Sequence, residues 1–275
     1  MDKLAFIDIG ELGWSLYLSA HIRWLKKNTD SMVAVICFSD RKCLYADFSD
    51  VFIDVPALFY EKYDINMQDA FRLRNLGWDE TRNFFSPYVP DAYRIIIPGE
   101  YPKHIIKDNR IFKPYRYSKP SEDGREIMVF PRCRSGIWIK RNLPEEFYSR
   151  LIKNLCDEFP ELTIRTIGTK NGAYDIEIKR HNYINWVGKG KDLQDLIDRC
   201  QVAVCAIGGT SAPPKISLLQ GVPTFIIGHE KLRFTGHENW MHTRIDFYQI
   251  DKRTYRTFND SACIEAIIGF VRKVQ

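Results

Sequence analysis

Short apolar runs, each stopped by glycine or proline and followed by a longer amphipathic segment, recur along the chain. The first, Leu4-Ala5-Phe6-Ile7 with Ile9, ends at Gly10-Glu11-Leu12-Gly13. The segment from Trp14 to Lys27 then places Leu16, Ala20 and Trp24 at helical spacing, with Lys26 and Lys27 at the C-terminal end of the helix dipole. Strand, glycine turn and helix predict the start of a nucleotide-fold half, although the turn lacks the GxGxxG dinucleotide spacing. Met32 to Phe38 and Val51 to Val55 are further β-branched runs and complete a βαβαβ pattern. From Phe59 to Tyr93 the sequence is aromatic and polar without clean periodicity, and Ile95-Ile96-Ile97 predicts another strand.

Residues Pro114 to Arg125 carry prolines, serines and a glycine at linker density, and after them the alternation restarts. It predicts strands at Glu126–Phe130, Leu162–Ile167 and Tyr183–Val187, helices at Pro144–Phe159 and Asp192–Arg199, and a final amphipathic helix at Asp260–Val274. The fold class is therefore α/β, with parallel sheets in two Rossmann-like domains facing a cleft. The domains run 1–118 and 119–275, the final helix being a candidate to pack back on the first.

The most informative stretch is Gln201 to Gly228. An apolar run ends at Gly208-Gly209, a helix starts at Thr210-Ser211 with Pro213 and Pro214, and a second run closes the unit from Pro223 to Ile227. Ser211 suits the N-cap, the prolines suit a first turn that needs no N–H, and Gly221 suits the position after the C-cap. A helix N-terminus just beyond a parallel strand presents N–H groups and partial positive charge to an anion. Lys215 adds a full charge in a place that opposes the dipole unless an anion sits there.

Composition narrows the function classes. The chain has 275 residues, 45% hydrophobic and 27% charged, enough for a sizeable core. Its formal net charge of +5 is spread among acidic residues, which argues against a nucleic-acid partner. Seven cysteines show neither CxxC nor zinc-ligand spacing and read as reduced and structural; no Asp-x-Asp metal motif is present, so no metal or other cofactor is expected. The N-terminus lacks the build of a signal peptide and no run reaches membrane-spanning length, so the expected location is cytoplasmic, with at most peripheral membrane contact.

Open α/β sheets bind ligands beyond the carboxyl ends of their strands. In the second half those loops carry Arg132 and Arg134, Gly168-Thr169-Lys170, Gly188-Lys189-Gly190-Lys191, Gly208 to Lys215, and Gly228-His229-Glu230. Such a set of cations fits a nucleotide diphosphate.

Several of these segments resemble the ADP-heptose:lipopolysaccharide heptosyltransferase family of glycosyltransferases. Thr210-Ser211-Ala212-Pro213-Pro214-Lys215, then Gly221-Val222-Pro223-Thr224, follows the family's Asp-Ser-Gly-x-x-His helix start and Gly-x-Pro-Thr strand, with Thr210 and Lys215 in place of Asp and His. Lys140-Arg141-Asn142-Leu143-Pro144 is similar to its Lys-x-Trp-Pro segment, and Val187 to Leu193 to its Gly-Lys-Thr-x-Leu segment. Ile9 to Trp14 resembles its Gly-x-x-Gly-Asp turn, with Trp14 at the aspartate.

The resemblance implies a GT-B-like fold and metal-independent, inverting transfer from a nucleotide sugar to a glycan or glycolipid acceptor held mainly by the first domain. It implies a diphosphate site at Lys140, Arg141, Gly209, Thr210, Ser211 and Lys215, and nucleotide or sugar contacts at Arg132, Gly188, Lys189, His229 and Glu230. His237 and Glu238 belong to the same last loop. With Trp14 in place of the family base, the nearest carboxylates are Glu11 on the turn and Asp8 at the strand end. Two other readings share the scaffold: a nucleotide-sugar epimerase or hydrolase, which turns over donor without acceptor, and a degenerate glycan- or nucleotide-binding module, which binds without turnover.

Overall fold

The computed structural model describes residues 1–9, 12–63, 77–97, 124–229, 231 and 243–275. Glu11, Glu230, His237, Glu238 and nearly all of the linker segment lie outside the described residues. The chain divides into two units, Met1–Lys113 and Pro114–Gln275.

The first unit is a parallel sheet of four strands in the order β3-β2-β1-β4: β1 (Lys3–Asp8), β2 (Met32–Cys37), β3 (Val51–Asp54) and β4 (Arg94–Ile96). Helix α1 (Leu12–Asn28) links β1 to β2. Lys26 near its end donates to both oxygens of Asp50, at 2.9 and 2.8 Å. The central strands β1 and β2 are buried on both faces, which is why they read as unbroken apolar runs. Ala5, Ile7, Ala34 and Ile36 pack with Phe38, Phe59 and Phe85 into one core. The stretch without sequence periodicity holds two short helices, α2 (Ala57–Tyr63) and α3 (Trp78–Phe85), whose aromatics Phe59, Phe84 and Phe85 meet edge-on or tilted at 4.9 to 5.2 Å.

The second unit is a parallel sheet of six strands in the order β10-β9-β8-β5-β6-β7. These are β5 (Glu126–Phe130), β6 (Thr163–Thr166), β7 (Tyr183–Asn185), β8 (Ala203–Gly209), β9 (Thr224–Gly228) and β10 (Ile245–Gln249). The edge strand β10 is one the sequence pattern did not predict. Helices α4 (Glu145–Glu158) and α7 (Ser261–Val274) cover one face, where Leu151, Leu155, Ile267 and Phe270 pack on Ile127, Val129, Cys205 and Ile207. Helices α5 (Leu193–Cys200) and α6 (Ala212–Leu219) pack together elsewhere on the sheet. Asp192 and Asp260 cap α5 and α7 by accepting the N–H of Asp195 and Ala262. All seven cysteines are free thiols.

One feature of this topology positions the site. From β5 the chain crosses through α4 to β6 on one side; from β8 it crosses through α6 to β9 on the other. The adjacent strands β5 and β8 therefore flank the topological switch point, the place where open α/β sheets take ligands beyond their carboxyl ends.

Candidate functional site

At this switch point β8 ends in Gly208-Gly209 and α6 begins. Gly221, at φ +82°, takes the left-handed position after α6; its N–H donates to Leu218 O and that of Val222 to Ser217 O, a Schellman ending. The start of α6 departs from expectation. Ser211 occupies the N-cap with extended backbone, but its hydroxyl makes no capping bond. A capping side chain accepts from the second or third helical N–H, and here those residues are Pro213 and Pro214, which have none. The hydroxyl is left with one long bond to Gly209 O at 3.5 Å.

Thr210 is 5% exposed, and its Oγ1 has no hydrogen-bond partner among the described residues. A Cβ on Gly228 would fall 2.3 Å from Thr210 Cγ2, so the threonine methyl is seated against the end of β9. Lys215 is the fourth residue of α6 and is 5% exposed, not a solvated loop lysine. Two hydroxyls and a buried cation thus stand where prolines have removed half of the helix's free N–H donors.

The register lines the other strand ends up beside this point: His229 after β9, Arg132 after β5, then the loops after β6 and β7. Arg132 is half-buried, and its residue bridges to Ala173 in the loop after β6. Lys140 and Arg141, exposed and half-buried, end the 3-10 helix Gly136–Arg141. Gly188, at φ +71°, is a turn residue whose N–H donates to Gly168 O at 2.8 Å. Lys189 donates to Asn185 O at 2.6 Å, so its ammonium is committed to its own loop. The His229 backbone N–H donates to the Tyr255 hydroxyl at 3.2 Å, and its Nδ1 stands 2.9 Å from the same oxygen. Tyr255, 2% exposed, is a residue that the sequence did not mark.

In the first unit Asp8 is 3% exposed at the end of β1. Ser15 donates to its Oδ1 at 3.1 Å and Tyr45 to its Oδ2 at 2.5 Å. Arg41 donates to Ser15 Oγ at 2.9 Å and stands 3.9 Å from the carboxylate. Burial pushes the Asp8 carboxyl above its ordinary range, against the pull of the Arg41 charge and the two hydroxyls. Asp8 is thus a partnered interior carboxylate, while the other candidate base, Glu11, lies outside the described residues.

Among the described residues no three His, Cys, Asp or Glu side chains are grouped to hold a metal, and no helix is long and apolar enough to cross a membrane.

No protein-family model and no curated protein matches the sequence. Solved structures do match in fold. A glycosyl transferase family 9 protein from Veillonella parvula superposes with a TM-score of 0.62 at 11% identity, over 99% of this chain and 97% of that one. The E. coli ADP-heptose LPS heptosyltransferase II gives 0.64 at 12%, over 100% and 98%, and E. coli heptosyltransferase WaaC with ADP gives 0.61 at 10%, over 99% and 100%. The chain has the GT-B-like fold of these transferases. At such identity the likeness is one of fold, and the chemistry rests on the residues described above.

Proposed function

We propose that the chain is a glycosyltransferase that takes a sugar from a nucleotide-sugar donor, held by the second unit, and moves it to a glycan or glycolipid acceptor. The observation that carries this reading is the start of α6 at the switch point: Thr210 Oγ1 buried without a partner among the described residues, the Ser211 hydroxyl freed from capping, and Lys215 buried in the first turn. A diphosphate supplies the acceptor that the Thr210 hydroxyl lacks among the described residues, and its negative charge suits the Lys215 ammonium. The shared fold supports the reading, and one of the structures that share it, WaaC, is described with ADP.

In the proposed reaction an acceptor hydroxyl attacks the anomeric carbon, the bond from that carbon to the diphosphate oxygen breaks, and the nucleoside diphosphate leaves with the electron pair. Negative charge grows on the departing oxygen, and donors placed in advance lower the barrier. We assign that work to Lys215, Lys140 and Arg141 with the hydroxyls of Thr210 and Ser211, in place of a metal ion. Arg132 and His229 flank this point on neighbouring strands and are assigned to the rest of the donor. We assign the base that takes the acceptor proton to Glu11, which lies in the sequence between β1 and α1, and the transfer inverts the anomeric centre. Asp8, with its oxygens held by Ser15 and Tyr45, is assigned a supporting role at the end of β1.

The test is release of nucleoside diphosphate from a panel of ADP-, GDP-, UDP- and dTDP-sugars, with and without a bacterial glycolipid and polysaccharide fraction. Release that depends on the fraction supports transfer. Release without it favours the hydrolase reading, and none from any donor favours the binding module.

A further inference from the structure

A cavity of about 440 Å³ opens on the same carboxyl edge of the second sheet, between the loop after β5, the start of α4 and the 3-10 helix Tyr255–Thr257. Ile139, Leu143 and Pro144 form an apolar wall, Tyr174 faces it, and Arg134 and Arg256 supply two guanidinium groups. Neither guanidinium makes a hydrogen bond or ion pair among the described residues. Glu145 and Glu146, in the first turn of α4, are exposed and do not line the cavity.

The rim is braced. Buried Asn142 accepts the Arg134 N–H at 3.0 Å and donates to Arg134 O at 2.8 Å. Cys133 N–H donates to Gly172 O at 2.9 Å and Tyr174 N–H to Pro131 O at 2.7 Å, so the loops after β5 and β6 are zipped together. Burial pushes the Tyr174 hydroxyl up to about 12, with smaller contributions from Cys133, Glu145 and Glu146. A mostly apolar cavity of this size with a few polar groups is the usual form of a small-ligand site. Two arginines, with no carboxylate among the described residues that line the cavity, suit a carboxylate or phosphate.

We propose that this cavity holds the transferred sugar and that the sugar is acidic, its carboxylate or phosphate lying between Arg134 and Arg256 and its ring against Ile139, Leu143, Pro144 and Tyr174. The inference rests on the nucleotide-sugar reading: the loop after β5 lines the cavity, and β5 is the neighbour of β8, whose end leads into α6. It takes the specificity of the second unit beyond the diphosphate, to the charge of the group transferred.

The test uses the full chain with labelled isoleucine methyl groups, because Ile139 lies in the cavity wall. Glucuronic acid 1-phosphate, glucose 1,6-bisphosphate and glucose 1-phosphate are titrated separately, and a panel of nucleoside diphosphates in parallel. The carboxylate sugar, the bisphosphate or both should bind at least about tenfold more tightly than glucose 1-phosphate and move the Ile139 methyl signal; which does so identifies the anion. Arg256→Gln and Arg134→Gln should each remove most of that preference while nucleoside diphosphate affinity changes little. Equal affinity for the three sugars, a preference that survives both variants, or an unmoved Ile139 signal overturns the inference. If no nucleoside diphosphate binds but an acidic sugar still moves Ile139, the donor reading fails and the cavity stands as an anion site. If neither binds, both fall.

Discussion

Phe130 and Gly208 are register partners across the parallel β5–β8 pair, and a Cβ on Gly208 would stand 3.1 Å from the Phe130 Cβ. The same atom would lie 2.9 Å from Pro214 Cγ. The first turn of α6 therefore sits close against the sheet because residue 208 has no side chain. Gly208→Ala forces these groups apart, at about 1–3 kcal/mol of overpacking. We expect a lower urea midpoint for the second unit and weaker nucleotide binding together. Gly228→Ala, which meets Thr210 Cγ2 at 2.3 Å, should displace that threonine and lose binding in the same way. Both substitutions leaving binding intact would contradict the assignment of Thr210.

The two N-cap positions of the second sheet make a controlled pair. Asp192 accepts the Asp195 N–H and caps α5, so Asp192→Ala should cost about 1 kcal/mol of stability. Ser211 caps nothing, so Ser211→Ala should cost less than about 0.5 kcal/mol, as an ordinary surface change does. Its loss should appear in nucleoside diphosphate affinity, about tenfold, from one hydrogen bond to a charged ligand. Denaturant titration and calorimetric binding on both variants separate the two roles.

Arg41 and Asp8 are buried together, with Ser15 bridging them. A carboxyl whose folded pKa is raised contributes its stability below its unfolded pKa and loses it as pH rises through the folded value. Arg41 opposes the rise at Asp8, and Asp40, which stands 3.8 Å from Arg41, adds to it. Arg41→Leu should therefore destabilise the first unit by about 3–5 kcal/mol at pH 7 and by less toward pH 4, where Asp8 takes up a proton. Hydrogen exchange of the β1 and α1 amides at the two pH values reads this directly. A deficit independent of pH would mean that Arg41 acts through packing alone.

Much of the second unit was legible in the sequence because its inner strands are buried on both faces and two of its helices carry local caps, at Asp192 and Asp260. The edge strand β10 was not: Ile245 to Gln249 are half-buried or exposed and read as mixed polarity. Asp8 read as a candidate base because, with Trp14 where the resembled family has its aspartate, it is one of the nearest carboxylates in the sequence. Its partners Arg41 and Tyr45 come from 33 and 37 residues away, and no local pattern announces them. The pairing of His229 with Tyr255 is hidden in the same way. The idle cap at Ser211 was readable, since prolines at the second and third helical positions leave a capping hydroxyl nothing to accept.

The central claim is that the start of α6 binds the diphosphate of a nucleotide without a metal. Calorimetric titration of the purified chain with ADP, GDP, UDP, CDP and dTDP in the presence of a chelator tests it, repeated on Lys215→Met, which keeps the length of the buried side chain. The account predicts that at least one nucleotide binds and that Lys215→Met weakens it at least tenfold with little change in melting temperature. Binding that needs magnesium, or that is as tight in Lys215→Met as in the parent chain, would contradict it.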